Sequence, residues 1–334
     1  MNFIELETET KFNSIYEIER EKIDRRLKSL IKNRQPGSLY KPGSYILESS
    51  GKRIRPLLIL FSTKAVGGRY SSSRNAAVAV ELLHNFTLVH DDIMDNADKR
   101  RGLATLHKRY DLSTAILAGD SLLSVAYESL LKDLKLNCKP VMAAFTKGLV
   151  EVCEGQSLDK EFELKKNVTI SEYKIMIRKK TAAMIEMCCT VGGYIGNGTK
   201  REINALANFG RNIGMAFQVQ DDLLDAVADE SKFGKFVGGD LREGKKTFLF
   251  LKAFEKAKGN DKKLLKLVIE NKGVKKNKIS EYLRIYHKLG VIDDAKKEIR
   301  GYTNQALKSL AVLKRKEDKE LFQKLADYLI NRKK

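Results

Sequence analysis

The sequence predicts an all-α protein. Three observations carry that expectation. Apolar residues recur at three- and four-residue steps, as in Leu82, Leu83, Phe86, Val89 and Ile93. Strand-like alternation is scarce. The prolines are Pro36, Pro42, Pro56 and Pro140, so nothing after Pro140 forbids long uninterrupted helices.

Helices are expected, in order, over residues 57–66, 76–95, 112–134, 141–154, 171–194, 201–227, 246–258 and 305–330. The breaks fall where turn chemistry puts them. Gly67-Gly68 closes the first helix, and Ser71-Ser72-Ser73 offers N-caps for the second. Asn197-Gly198 and Gly238-Gly239 mark turns. No fixed-period repeat or low-complexity linker divides the chain, so residues 1–334 read as a single all-helical domain.

Composition narrows the functional classes. The 334 residues are 43% hydrophobic and 32% charged, as in an ordinary globular protein with a sizeable core. No apolar run is long enough to span a bilayer. The first twenty residues mix acids and bases without an apolar h-region, so no secretory signal is expected and the cytoplasm is the expected compartment. Cys138, Cys153, Cys188 and Cys189 form no C-x-x-C pair and read as reduced, buried thiols. The net charge of +20 suits anionic partners. Much of the excess lies in 262–278 and in the tail, interleaved with Leu, Val and Ile as on solvated helix faces. No recognised nucleic-acid-binding module accompanies it, so nucleic acid is not an expected partner. Peripheral contact with an anionic membrane stays open.

The chemistry lies in two acidic clusters. The first is His90-Asp91-Asp92-Ile93-Met94-Asp95. Asp91 and Asp95, four apart on a helix, share a face. Such a pair repels itself in water unless a hard divalent cation sits between the two carboxylates. Mg²⁺ commonly takes one or two carboxylates plus substrate phosphate. The second cluster, Asp221-Asp222-Leu223-Leu224-Asp225, repeats the spacing within a largely apolar helix, where acids are costly unless paired or metal-bound. A Ca²⁺ loop is excluded, because neither cluster has the alternating ligands and central glycine.

Basic groups accompany the acids. They are Lys52 and Arg55 in Gly51–Pro56, Arg100-Arg101-Gly102, Arg178-Lys179-Lys180-Thr181 and Gly244-Lys245-Lys246-Thr247. Arginine can grip phosphate bidentately. No Walker spacing is present. His84, two helical turns before Asp91, is by itself as readily a structural histidine as a ligand.

Taken together, these motifs resemble the trans-isoprenyl diphosphate synthases, the family of farnesyl and geranylgeranyl diphosphate synthases. The matching segments are GKRIRP (Gly51–Pro56), ELLHNFTLVHDDIMD (Glu81–Asp95), RRG (Arg100–Gly102), GDSLL (Gly119–Leu123), EGQSLD (Glu154–Asp159), KKTAAM (Lys179–Met184), FQVQDDLLD (Phe217–Asp225) and GKKT (Gly244–Thr247). They stand in family order and cover about residues 51–250. The resemblance implies the isoprenoid synthase fold, one large bundle of ten or more helices around a central cavity, usually as a homodimer. It implies that Asp91 and Asp95 hold two Mg²⁺ ions and Asp221, with Asp225 nearby, a third. Arg100, Lys180, Thr181, Gln218, Lys235 and Lys245 would surround an allylic diphosphate, with Lys180 counted as catalytic. Lys52, Arg55, His84 and Arg101 would hold isopentenyl diphosphate. The family usually has proline where this chain has Ala104.

The implied reaction is head-to-tail condensation of isopentenyl diphosphate with an allylic diphosphate. Residues one turn before Asp91 would floor the pocket. Helix geometry alone favours Thr87; Phe86 enters through the resemblance, since an aromatic at the fifth position before the motif matches archaeal-type geranylgeranyl synthases with a C20 product. Farnesyl (C15) and longer-chain synthases are the alternatives. Terpene cyclases usually carry an Asn/Ser/Glu-type second motif, head-to-head synthases usually a membrane anchor, and non-catalytic subunits an eroded motif; none of these is seen.

Overall fold

The computed structural model describes residues 3–49, 51–132, 134, 137–227 and 238–330, with side chains from residue 9 onward. The all-α expectation holds. The helices are α1 (Phe3–Ile31), α2 (Gly37–Glu48), α3 (Ile54–Ala65), α4 (Arg74–Met94), α5 (Leu106–Arg109), α6 (Leu112–Leu131), α7 (Cys138–Leu164), α8 (Ile170–Ile177), α9 (Ala183–Ile195) and α10 (Lys200–Val227). There follow α11 (Gly239–Arg242), α12 (Phe248–Lys256), α13 (Gly259–Glu270), α14 (Ile279–Lys288), α15 (Val291–Ser309) and α16 (Lys316–Ile330). The one sheet among the described residues is a two-stranded hairpin, β1 (Lys99–Arg100) with β2 (Leu103–Ala104).

The chain divides into two compact units. One comprises Met1–Phe145, Cys188–Asn204 and Leu313–Leu321; the other comprises Thr146–Met187, Ala205–Val312 and Phe322–Lys334. The division falls inside α7, α9, α10 and α16.

In the first unit, α4 is the central rod. Residues 76–83 are buried without interruption, as expected of a helix packed on all sides. It lies along α6, where Gly119 makes room for His90: a Cβ there would sit 2.5 Å from the imidazole Nε2. Helix α3 is buried from Pro56 through Thr63. It crosses α9 at Gly192, where a Cβ would lie 2.4 Å from the Ile59 carbonyl oxygen. Thr63 seals that crossing by donating to the Ile59 and Gly192 carbonyls at 2.9 and 3.0 Å. Helix α1 buries Phe12, Tyr16, Ile23, Leu27 and Ile31, a helical stripe hidden in a segment otherwise dominated by charge.

The second unit has its own core. Tyr173, Met176 and Ile177 of α8 pack with Met215, Val219 and Leu223 of α10 and with Phe248–Leu251 of α12. A capping box starts α8: Thr169 accepts from the Glu172 amide, and Glu172 accepts from the Thr169 amide.

Several local expectations are corrected. The helix after Pro56 begins earlier, at Ile54, with Arg53 in left-handed geometry just before it (φ 47°). Ser71–Ser73 form a 3₁₀ turn, and Ser73 makes no side-chain cap bond. The 171–194 helix is interrupted by a π-helical turn at Arg178–Ala182. The 305–330 helix is two helices, broken after Ser309 by a 3₁₀ turn at Leu310–Val312. Cys188 and Cys189 are buried thiols, but Cys138 and Cys153 are exposed.

The α3–α9 crossing gives a stability prediction. Gly192→Ala gains up to about 1 kcal/mol of helix propensity, yet it drives a methyl into backbone. Thermal unfolding will show a lowered midpoint; an unchanged or raised midpoint would show that the crossing tolerates a side chain.

Candidate functional site

The first cluster sits at the C-terminal end of α4. Asp91 is half-buried and Asp95, the C-cap residue, is exposed. Asp92 between them turns inward and is buried. A buried carboxylate needs a partner, and Asp92 has one: Arg100 Nε donates to Oδ1 at 2.6 Å. Arg100 ends β1, and Arg101 and Gly102 form the hairpin turn with φ of 51° and 80°. Positive φ at both central residues is the signature of the tight hairpin turn that suits strand twist. Ala104 pairs with Lys99, and its carbonyl accepts from the Tyr45 hydroxyl at 3.1 Å. The Thr105 hydroxyl donates to the Ala97 carbonyl at 2.6 Å. Side-chain bonds thus steady a loop that lacks the usual proline.

Beside this hairpin lies a group of arginines. Arg53 is an anchor: it is buried and donates to Asp24 at 2.6 Å and Glu81 at 2.7 Å. Arg55 meets His84, Nη1 to Nε2 at 3.2 Å. Guanidinium can only donate, so Nε2 is the acceptor and the ring proton sits on Nδ1. Burial, reinforced by the charges of Arg55, Arg101 and Arg100, holds His84 well below its ordinary pKa. Arg101 is exposed and reaches the Ser49 hydroxyl at 3.4 Å. Lys52 is exposed, and its carbonyl accepts from the Tyr16 hydroxyl at 2.7 Å. The expected isopentenyl diphosphate set (Lys52, Arg55, His84, Arg101) therefore belongs to one neighbourhood of the first unit, with Arg100 next to it. Phe86 and Thr87 lie one turn up α4. Phe86 packs on His90 with ring centroids 4.6 Å apart, and Thr87 donates to the His84 carbonyl at 2.8 Å.

The second cluster, on α10, repeats the division of labour. Asp221 is exposed and Asp222 is buried. Three donors satisfy Asp222: the Tyr173 hydroxyl at 2.5 Å, the Phe248 amide at 3.0 Å and Gln218 Nε2 at 3.1 Å. Burial pushes its carboxyl up, and these bonds oppose the shift. Gln218 in turn accepts from the Thr181 hydroxyl at 2.7 Å. Asp225 caps α11, accepting from the Asp240 amide at 3.0 Å.

Lys180 and Thr181 lie on the π turn, a wide turn that recurs at functional sites. Gly155 of α7 permits it, since a Cβ there would sit 2.1 Å from the Lys180 amide nitrogen. Lys180 donates to Asp159 at 2.5 Å. Lys245 is exposed, pairs with Glu243 at 2.7 Å, and its charge favours ionised Asp225 and Asp240. Lys235 lies outside the described residues.

Three residues escaped the sequence reading. Asp92 and Asp222 are the inward carboxylates that fix their helices. Asp240 is the third: it shares a small cavity with Asp222 and Asp225, and burial with the charge of Asp225 pushes its carboxyl up. Its only signal in the sequence was an acid directly after the Gly238-Gly239 turn.

The donors suit a hard divalent cation. Asp91, Asp95 and Asp221 offer oxygens, with fixed cations close by in each unit. Among the described residues no three His, Cys, Asp or Glu side chains gather into a closed metal site. Mg²⁺ accepts such sparse protein ligation, because waters and phosphate oxygens complete its shell.

The neutral His84 gives a pH prediction. Its folded pKa is depressed, so below pH about 6.5 the unfolded chain takes a proton that the folded chain refuses. Stability is full above that value and declines as pH falls toward the folded pKa. Unfolding of wild type and His84→Gln across this window will show a flatter pH dependence in the variant; parallel slopes would show that folding leaves the protonation of His84 unchanged.

Comparison with known proteins agrees with this arrangement. Residues 36–286 match the polyprenyl synthetase family. The chain is 39% identical over 316 residues to a geranylgeranyl diphosphate synthase of Methanosarcina mazei, covering 93% of this chain and 94% of the relative. It is 33% identical over 321 residues to a geranylfarnesyl diphosphate synthase of Natronomonas pharaonis, covering 89% and 91%. The crystal structure of geranylgeranyl pyrophosphate synthetase from Pyrococcus horikoshii Ot3 superposes with a TM-score of 0.89 at 38% identity, covering 96% of this chain and 99% of that one. With its two acidic helices, its basic hairpin and these relatives along nearly its whole length, the chain belongs to the polyprenyl synthetase family.

Proposed function

We propose that the chain is a Mg²⁺-dependent prenyltransferase that condenses isopentenyl diphosphate with dimethylallyl, geranyl or farnesyl diphosphate and stops mainly at the C20 product. The observation that carries this reading is the paired design of the acidic clusters. In each, an inward aspartate pinned by hydrogen bonds fixes the helix, and Asp91 with Asp95, or Asp221, stands on the same helix as further carboxylate. The reading requires both clusters to act on one diphosphate within a single working domain.

Asp91, Asp95 and Asp221 would hold about three Mg²⁺ ions, whose chemistry when bound is to neutralise charge gathering on the leaving diphosphate. Breakage of the allylic C–O bond leaves a carbocation and free diphosphate. Lys180, Lys245 and Arg100 offer positive charge where that group departs, in a setting fixed beforehand by Asp159, Glu243 and Asp92. Arg55, Arg101, Lys52 and the neutral His84 hold the second diphosphate, and its double bond attacks C1 of the cation. Loss of a proton to the departing diphosphate completes the five-carbon extension. No side-chain nucleophile is needed, and an apolar pocket keeps water from the cation.

Product length rests on Phe86 and Thr87. One aromatic and one small residue at these positions support C20, as does the name of the Methanosarcina relative. The Natronomonas relative favours a longer product as the second reading. A homodimer belongs to the same proposal. Helix α6 leaves Leu112, Ile116 and Leu117 exposed near its start, an apolar group that a second copy would cover.

Two outcomes test the proposal. Asp91→Ala or Asp221→Ala will lower turnover by roughly a hundredfold or more while circular dichroism stays native; near-normal rates in both would defeat the metal assignment. Phe86→Ser will lengthen the product and Thr87→Phe will shorten it, read by sizing dephosphorylated products made from labelled isopentenyl diphosphate. An unchanged profile in both would refute the floor.

A further inference from the structure

Residues 256–278 carry nine lysines against two acids, Asp261 and Glu270, with no arginine and no aromatic residue. Asp261 is committed to Lys288 at 2.7 Å. Lysines just outside or at the edge of this segment find partners, Lys252 on Glu255 at 2.8 Å and Lys278 on Glu281 at 3.5 Å. Lys258, Lys263, Lys266, Lys272 and Lys275 are exposed and form no ion pair among the described residues. Helix α13 buries Leu265 and Val268 and exposes Lys263, Lys266 and Leu267 on another side. A leucine 42% exposed among unpaired lysines makes this face amphipathic on a small scale.

The face adjoins the second cluster within the same unit. The Lys272–Gly273 backbone presses on Arg242–Gly244: a Cβ on Gly273 would lie 2.1 Å from the Arg242 carbonyl oxygen, and one on Gly244 2.7 Å from the Lys272 carbonyl carbon. Ile279 packs on Gly238, where a Cβ would meet it at 2.4 Å. The braced segment, residues 238–245, carries Asp240 and Lys245.

We propose that this lysine face docks the protein on an anionic lipid bilayer, with Leu267 entering the interface beside the second acidic cluster. The proposal rests on the synthase reading in one respect: an amphiphilic prenyl diphosphate made beside a bilayer can pass into it. The chemistry of the face favours lipid over nucleic acid. Lysine is a point charge without the planar fork that reads phosphate or base edges, and there is no aromatic platform for stacking bases. Attraction to an anionic leaflet needs only juxtaposed charge and accumulates lysine by lysine. A single free diphosphate is too small an occupant, since the unpaired lysines run from Lys258, before the helix, through Lys263 and Lys266 to Lys275 beyond its end.

The test is sedimentation of the full chain with vesicles of phosphatidylcholine, alone or with about a third phosphatidylglycerol, at about 0.1 M salt. Wild type will bind the anionic vesicles, and binding will fall as salt rises. The combined variant Lys258→Gln, Lys263→Gln, Lys266→Gln, Lys275→Gln will lose at least about tenfold in partitioning. Leu267→Ala will weaken the part that survives high salt. Turnover of dimethylallyl diphosphate without vesicles will match wild type in the combined variant. Equal sedimentation with neutral and anionic vesicles, unchanged partitioning in the variant, or displacement of vesicles by duplex DNA at equal phosphate would overturn the proposal. A fall in solution turnover would also contradict it, by placing these lysines in the substrate site. The vesicle measurement reads no turnover, so it and the synthase reading can fail separately.

Discussion

A carboxylate taken out of water must be given hydrogen bonds or a counter-charge. That constraint organises both halves of the candidate site. Asp92 and Asp222 are buried and satisfied, one by Arg100 and the other by Tyr173, Gln218 and the Phe248 amide. Because each is pinned, α4 and α10 cannot rotate about their axes without stranding a buried charge. Asp91 and Asp95, or Asp221 and Asp225, are thereby held in the orientations they take. The partners of the pinned aspartates also connect outward. Arg100 carries the hairpin, and Gln218 reaches Thr181 on the π turn.

Positive charge is managed with the same economy. Arg53, Arg55, Arg100 and Arg101 crowd around His84, and their mutual repulsion would splay an unsupported loop. Glu81 and Asp24 absorb Arg53, Asp92 absorbs Arg100, and His84 stays neutral. The proposed function assigns the charge at Arg55 and Arg101 to an anion. In the second unit Lys180 is tethered by Asp159 and Lys245 by Glu243.

Much of this was legible in the sequence. The apolar period of α4 and α10 is strong, and both acidic clusters fall on their expected helices. The motif residues were legible because their spacing is rigid and their chemistry unusual. What was missed has physical causes. Helix α1 hides a buried stripe in a charge-rich segment. The π turn leaves no mark in hydrophobic spacing; its one trace is Gly155, which leaves room for the Lys180 backbone. The break after Ser309 separates two helices whose apolar faces read as continuous. Asp92 and Asp222 look like their neighbours in sequence; only packing shows that one aspartate of each adjacent pair points inward.

The proposed function requires the outer aspartates of both clusters to bind one diphosphate together. The most direct measurement is a double-mutant cycle on Mg²⁺-dependent affinity for a non-reactive allylic diphosphate analogue, using Asp91→Asn, Asp221→Asn and the pair. Shared binding of one diphosphate gives strong non-additivity, with the double variant little worse than either single. Losses that simply add would show two independent sites and contradict it.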